Sequence, residues 1–174
     1  MLWMILLGVA TGMRTMTPIA AICWFMWFAL LPVTGLTYWT ASFVAVLVFT
    51  VFALGEYYGD TLATAPSRKN ALPLVSRLVF GVLVGVIVAS TYGEPLAGGI
   101  LLTVMGVLIG AFGGYRARMY FADKVGRDFP VAVCESALAL GMSVAALVRI
   151  RVDILRQAHE ASRQAGFWYM LFGA

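Results

Sequence analysis

Any chemistry in this chain has to be built from Arg14, Arg68, Arg77 and Arg116, with Glu56, Asp60 and Glu135 set against them. Arg68 sits in the loop between two apolar runs, and the others lie at the end of such a run or inside one, where an ionised group is costly unless it meets a partner or water. Thr17-Pro18 reads as a helix start, with Thr17 as N-cap and Pro18 as first helical residue. Arg14, just ahead of it, combined with the free N–H groups of that helix end, makes a cradle for an anion or a phosphate. The plainer role for these arginines is to snorkel to lipid headgroups or to pair with the acids. Glu56 and Asp60 are four residues apart and share a face if their helix continues through Gly59. Glu135 falls about two turns into an apolar segment, so it must face protein or water. There it can carry a proton, or act as a structural partner of Arg14, Arg77 or Arg116.

Other chemistries have little to work with. His159 is the sole histidine, and Cys23 and Cys134 are far apart without CxxC spacing. No metal site, cofactor or Ser–His–Asp triad is therefore expected. Ser67, Ser76 and Ser136 have no neighbouring base, which argues against an enzyme using a serine nucleophile.

The elements that must position these residues are membrane-like. Of 174 residues, 62% are hydrophobic and only 11% charged. That leaves too little polar surface to cover a soluble core, whereas the length suits about five or six spans of roughly 20 residues. The net charge of +4 is arginine-rich. Because the arginines flank apolar runs, they point to headgroups rather than nucleic acid.

Leu2 to Gly12 is apolar but too short to span, and no basic stretch precedes it, so a cleaved signal peptide is not expected. A second helix should run from Pro18 to about Leu31, ended by Pro32 and Gly35; the two pieces form either one interrupted span or a half-helix followed by a span. Further spans are expected at Tyr38–Tyr58, Pro73–Tyr92, Leu96–Phe112 and Phe129–Val148. Gly81 and Gly85, then Gly106, Gly110 and Gly114, recur at four-residue spacing and predict close helix packing, including a route to a homodimer. Residues 1–149 form the bundle in this reading, and 150–174 an amphipathic surface helix with an aromatic tail. The basic Arg14, Arg68/Lys69 and Arg116–Arg127 regions place one side in the cytoplasm, but Arg149, Arg151, Arg156 and Arg163 then fall on the other. An internal echo pairs Gly8-x3-Gly12-x-Arg14 with Gly110-x3-Gly114-x-Arg116, and Pro18 with Pro130. Repeats with interrupted helices around a shared site are a transporter device.

Several blocks resemble a bacterial family of small multi-pass membrane proteins of unknown function, domain of unknown function four-one-two-six. They are Gly12-Met13-Arg14-Thr15-Met16-Thr17-Pro18, Glu56 with Asp60, Pro66-Ser67-Arg68, Arg77 with Gly81 and Gly85, Gly113-Gly114-Tyr115-Arg116, and Glu135. Thr61-Leu62-Ala63 departs from the family's Lys and Leu-Pro after the aspartate, and Glu135-Ser136 from its Glu-Asp. The resemblance implies a fold and site positions but no reaction.

The expectation is an all-α polytopic integral membrane helical bundle of the bacterial inner membrane, with about five spans and lipids as its surroundings. Its function is that of a small transporter or permease, proton-coupled through its acids. Arg14, Arg68, Arg77 and Arg116 would bind an anionic small molecule or lipid phosphate; Glu56, Asp60 and Glu135 would supply proton or counter-charge. The alternative is a scaffold or assembly factor whose Arg/acid pairs are structural.

Overall fold

In the computed structural model, which describes residues 1–59, 71–125 and 128–172, six α-helices carry the chain and no strand occurs among the described residues. They are α1 (Leu2–Met13), α2 (Thr17–Trp27), α3 (Phe43–Gly59), α4 (Ala71–Tyr92), α5 (Leu96–Val125) and α6 (Asp128–Phe172). Three stretches are long and apolar enough to cross a membrane: Pro73–Tyr92, Leu96–Lys124 and Phe129–Gln164. The first three helices are shorter, so among the described residues the expected count of about five spans is met by length at three.

α1 ends because Arg14 turns to an extended conformation, φ −137° and ψ 109°. Pro18 then sits in the first turn of α2, where its missing N–H costs nothing. α2 stops at Trp27, short of the expected Leu31. Ala29 adopts φ +52°, and the Ala29 and Leu30 amides donate to the Met26 and Phe25 carbonyls at 3.0 and 2.8 Å. That is a Schellman ending, normally given to glycine. α4 closes in the same way through Gly93, at φ +70°. α3 starts at Phe43 rather than Tyr38, because Tyr38–Ala41 forms a single 3-10 turn.

Helix directions follow from which residues meet. Gly8 packs on Thr103 and Gly12 on Val107 and Ala111, while Gly106 packs on Ile5 and Gly110 on Val9. Positions advance together along both helices, so α1 and α5 run parallel. Gly81 meets Val107 and Gly85 meets Thr103 and Gly99, so α4 runs antiparallel to α5. Ala132 lies beside Arg14 and Arg149 over Trp3, so α6 runs antiparallel to α1. α2 begins at that same Arg14 end and finishes near Arg151 and Ile154. α1 and α2 are therefore the two arms of a helical hairpin with Arg14 at its tip, not one broken span. At about 1.5 Å per residue neither arm reaches across a 30 Å hydrocarbon layer. α3 lies back along α2, with Thr17 against Tyr57 at one end and Trp27 against Phe43 at the other.

The core sits where the hairpin meets α4, α5 and α6, through Leu7, Ile19, Ile22, Ile87, Leu147 and Ile150. Buried hydroxyls are satisfied within their own helices: Thr11, Thr91, Thr103 and Ser143 each donate to the carbonyl four residues back, at 2.7–2.8 Å. Outward faces are apolar, as on α3 (Val44, Val51, Leu54) and α5 (Leu101, Ile109). α6 passes residue 150 without a break, and Ile150 belongs to the core. Exposure becomes continuous only from Leu155 to Gln164, so the amphipathic segment extends a long helix rather than folding apart from it. The same continuity carries Arg149, Arg151, Arg156 and Arg163 away from the Arg14 end, and basic residues therefore stand at both ends.

Candidate functional site at the hairpin tip

α2 has Met16 as its N-cap rather than the expected Thr17, and the backbone N–H groups of Thr15 and Met16, in the turn just ahead of the helix, draw in a carboxylate. Glu56, near the end of α3, accepts hydrogen bonds from the Thr15 amide through Oε1 (2.7 Å) and the Met16 amide through Oε2 (2.8 Å). The expected anion cradle at this helix start is thus filled by the chain's own carboxylate. Next to it the Thr17 hydroxyl and the Tyr57 hydroxyl lie 2.8 Å apart.

Arg14 is fully buried, with 0% of its surface exposed. Its Nη2 donates to the Ala132 carbonyl at 3.2 Å, and its guanidinium lies over the Tyr57 ring, 5.4 Å from the centroid. A carbonyl and an aromatic face together compensate part of the desolvation of the charge. Arg14 thereby ties the tip to both α6 and α3. Arg77, one turn beyond Gly81 on α4, is 5% exposed and belongs to the same end of the bundle.

Two cavities flank the tip. One, of about 380 Å³, is bounded by Met13, by Gly114, Arg118 and Phe121 of α5, and by Pro130, Cys134, Glu135 and Leu138 of α6. At its edge Arg118 Nη1 lies 3.7 Å from Glu135 Oε2. The other, of about 530 Å³, is bounded by Thr15 and Met16, by Phe52, Gly55 and Glu56 of α3, and by Pro73, Ser76 and Arg77 of α4.

The structure places Arg14, Glu56 and Arg77 at one end of the bundle, with Glu135 on the far side of the tip. Arg116 does not join them. It is exposed, and Arg118 faces inward instead, because two residues along a helix turn the side chain through about 200°. The signal was present: continuing the Gly106, Gly110, Gly114 stripe by four residues arrives at Arg118. Tyr57 is a further member of the site that the sequence does not single out, since a tyrosine at the end of an apolar run carries no sign of a buried cation partner. Asp60 and Arg68 lie outside the described residues.

Gly106 and Gly110 face α1, and Gly81 and Gly85 face α5. Both glycine faces are used inside the chain, which corrects the expected route to a homodimer through them. The contacts of Gly8 and Gly12 mirror those of Gly106 and Gly110, relating α1 and α5 by an approximate two-fold axis along the pair. This register differs by one turn from the sequence echo, which aligned Gly8 with Gly110. Among the described residues no three His, Cys, Asp or Glu side chains lie within reach of a common metal ion.

Fold and site together define a class: an all-helical chain with three helices suited to crossing a membrane and a charged centre buried among its apolar helices. Comparison with protein-family models, curated proteins and solved structures gives no match to this chain.

Proposed function

We propose that the chain is a multi-pass protein of the bacterial inner membrane whose hairpin-tip arginines bind an anionic group and move it through the bilayer. The observation that carries this reading is the pairing of a deeply buried arginine, Arg77, with an open cavity of about 530 Å³. A centre serving only to lock helices together gains nothing from a void beside its charge, since empty space forfeits packing. Arginine matches phosphate and carboxylate oxygens with its forked donors. Glu56 holds the helix end that a substrate anion would otherwise approach, and Glu135 with Arg118 supplies a second charge pair across the tip. On this reading α3 and the α1–α2 hairpin lie within the membrane beside the three longer spans. The hairpin's backbone is tolerated there because protein surrounds it. The tip faces the cytoplasm with the basic Arg116–Lys124 end of α5.

The second reading, a scaffold with structural charge pairs, is favoured by the two short bonds from the Thr15 and Met16 amides to Glu56. Reconstituted liposomes separate the two. One set is loaded with phosphate or chloride and assayed for efflux. Another carries a fluorescent phospholipid whose movement between leaflets is read by chemical quenching. The transport reading expects movement in at least one set, reduced at least tenfold in Arg77→Gln. No movement in either set, with Arg77→Gln and Glu135→Gln altering only the yield of folded protein, would establish the scaffold.

A further inference from the structure

We infer that the cavity between α3 and α4 is a binding groove for a lipid carrying a phosphate headgroup, which enters from the bilayer rather than from water. This rests on the anion-binding reading above and names its substrate class. α3 packs along α2 and, among the described residues, meets α4 mainly where the Phe49 and Phe80 rings stand edge to face, 6.4 Å between centroids, although the two helices are consecutive in the chain. The gap between them is the 530 Å³ cavity, a size that takes a headgroup and the beginnings of its tails.

Its lining is that of an amphiphile site. Phe52 and Gly55 form one wall and Pro73 the other, with Ser76 and Arg77 at the polar end. Phe52, which lines the gap on α3, is itself largely exposed, so the gap continues outward over an apolar ring. A soluble anion would have to abandon water for these walls, whereas a lipid would lose nothing by lying along them. At the polar end Arg77 is 95% withdrawn from solvent, and its five donors can hold a phosphate alongside a protein partner. Glu56 also borders the cavity, and its charge opposes an anion. Both its oxygens are committed to the Thr15 and Met16 amides, however, and the positive end of α2 offsets it.

The test uses the purified full-length chain in a neutral detergent, with its thermal midpoint measured against three probes. Phosphatidic acid has tails and a phosphate, diacylglycerol has the tails alone, and inorganic phosphate has no tails. Phosphatidic acid is expected to raise the midpoint by about 5–10 °C near saturation, with little effect of the other two. Gly55→Leu is the decisive variant. A side-chain carbon at Gly55 meets nothing within 4 Å, so leucine enters the groove without disturbing the helix. It should melt no lower than the native chain and lose the shift, and Arg77→Gln should lose the shift as well. An equal shift from diacylglycerol, a full shift from inorganic phosphate alone, or a shift surviving in Gly55→Leu would overturn the groove. If the shift is absent while phosphate efflux from liposomes persists, the lipid inference fails and the transport reading stands. If the shift is present with no transport, the groove stands and transport fails.

Discussion

The two flanks of the bundle are built on opposite plans. On one, α5 is clasped by α1 and α4 through glycines at backbone distance; on the other, α3 rests on α2 and leaves a cavity between itself and α4. Both flanks draw on the same stock of small and apolar residues, so composition does not distinguish them. What differs is where the glycines point. Gly8, Gly12, Gly106 and Gly110 face a partner helix, whereas Gly55 and Gly59 face open space. A seam in which backbone meets backbone has no slack and fixes the frame. α3, held by side chains along α2 and by Phe49 against Phe80 of α4, leaves room beside it, and the charged tip lies where the two regimes meet.

The widest separation between the flanks should come from alanine at Gly110. The added carbon would lie 2.9 Å from the Val9 carbonyl carbon and closer still to its oxygen, and backbone cannot swing aside. Overpacking of this kind costs about 1–3 kcal/mol, often more when helices must part. Gly110→Ala should lower the melting midpoint by several degrees, while alanine at Gly55 leaves it unchanged or slightly raised. Equal midpoints for the two variants would show that the seam is not tight. Glu56→Gln comes next. An amide in place of the carboxylate turns a donor toward one of the two tip amides and removes the charge at the α2 end, a loss of about 1–3 kcal/mol. Its melting curve should fall between those of Gly110→Ala and the native chain, and a midpoint equal to the native one would dismiss Glu56 as the tip's cap.

How far the sequence foretold this contrast depends on the range of the signal. Pro18 and the glycine stripes are local, and they announced the start of a new helix and the packing faces. Arg14, Glu56, Arg77 and Glu135 announced themselves by their cost in apolar runs, and the structure gathers them at one end. Which acid meets which cation is a matter of azimuth and register, which a linear reading does not carry. Linear spacing therefore points to Arg116 where the stripe continues to Arg118, and to Glu56 as a counter-charge rather than a cap. The direction of α2 was equally hidden, because a three-residue break in an apolar run is compatible with a continuing span or a hairpin. Only contacts at a distance, Ala132 with Arg14 and Trp3 with Arg149, decide it.

Arg118 and Arg116 offer a smaller version of the same comparison on a single helix. Methionine at Arg118 leaves the buried Glu135 carboxylate without the guanidinium 3.7 Å away, while methionine at Arg116 alters an exposed side chain. The pair is long and Arg118 retains some contact with solvent, so a cost of about 1 kcal/mol is expected at Arg118 and near zero at Arg116. Thermal midpoints in the same detergent would show this order, and a reversed order would return Arg116 to the centre.

The smallest effect should come from Tyr57→Phe. Its hydroxyl lies 2.8 Å from that of Thr17, and its ring lies beneath Arg14. Phenylalanine removes the first contact and keeps the second, so the loss should be below about 1 kcal/mol, that of one part-buried neutral hydrogen bond. Tyr57→Leu removes both and leaves the Arg14 guanidinium without its aromatic face, adding about 1–2 kcal/mol in a desolvated site. Thermal midpoints of the two variants isolate the ring's share. A leucine variant no less stable than the phenylalanine variant would mean that the ring does not support Arg14, and that α3 is held to the tip by Glu56 alone.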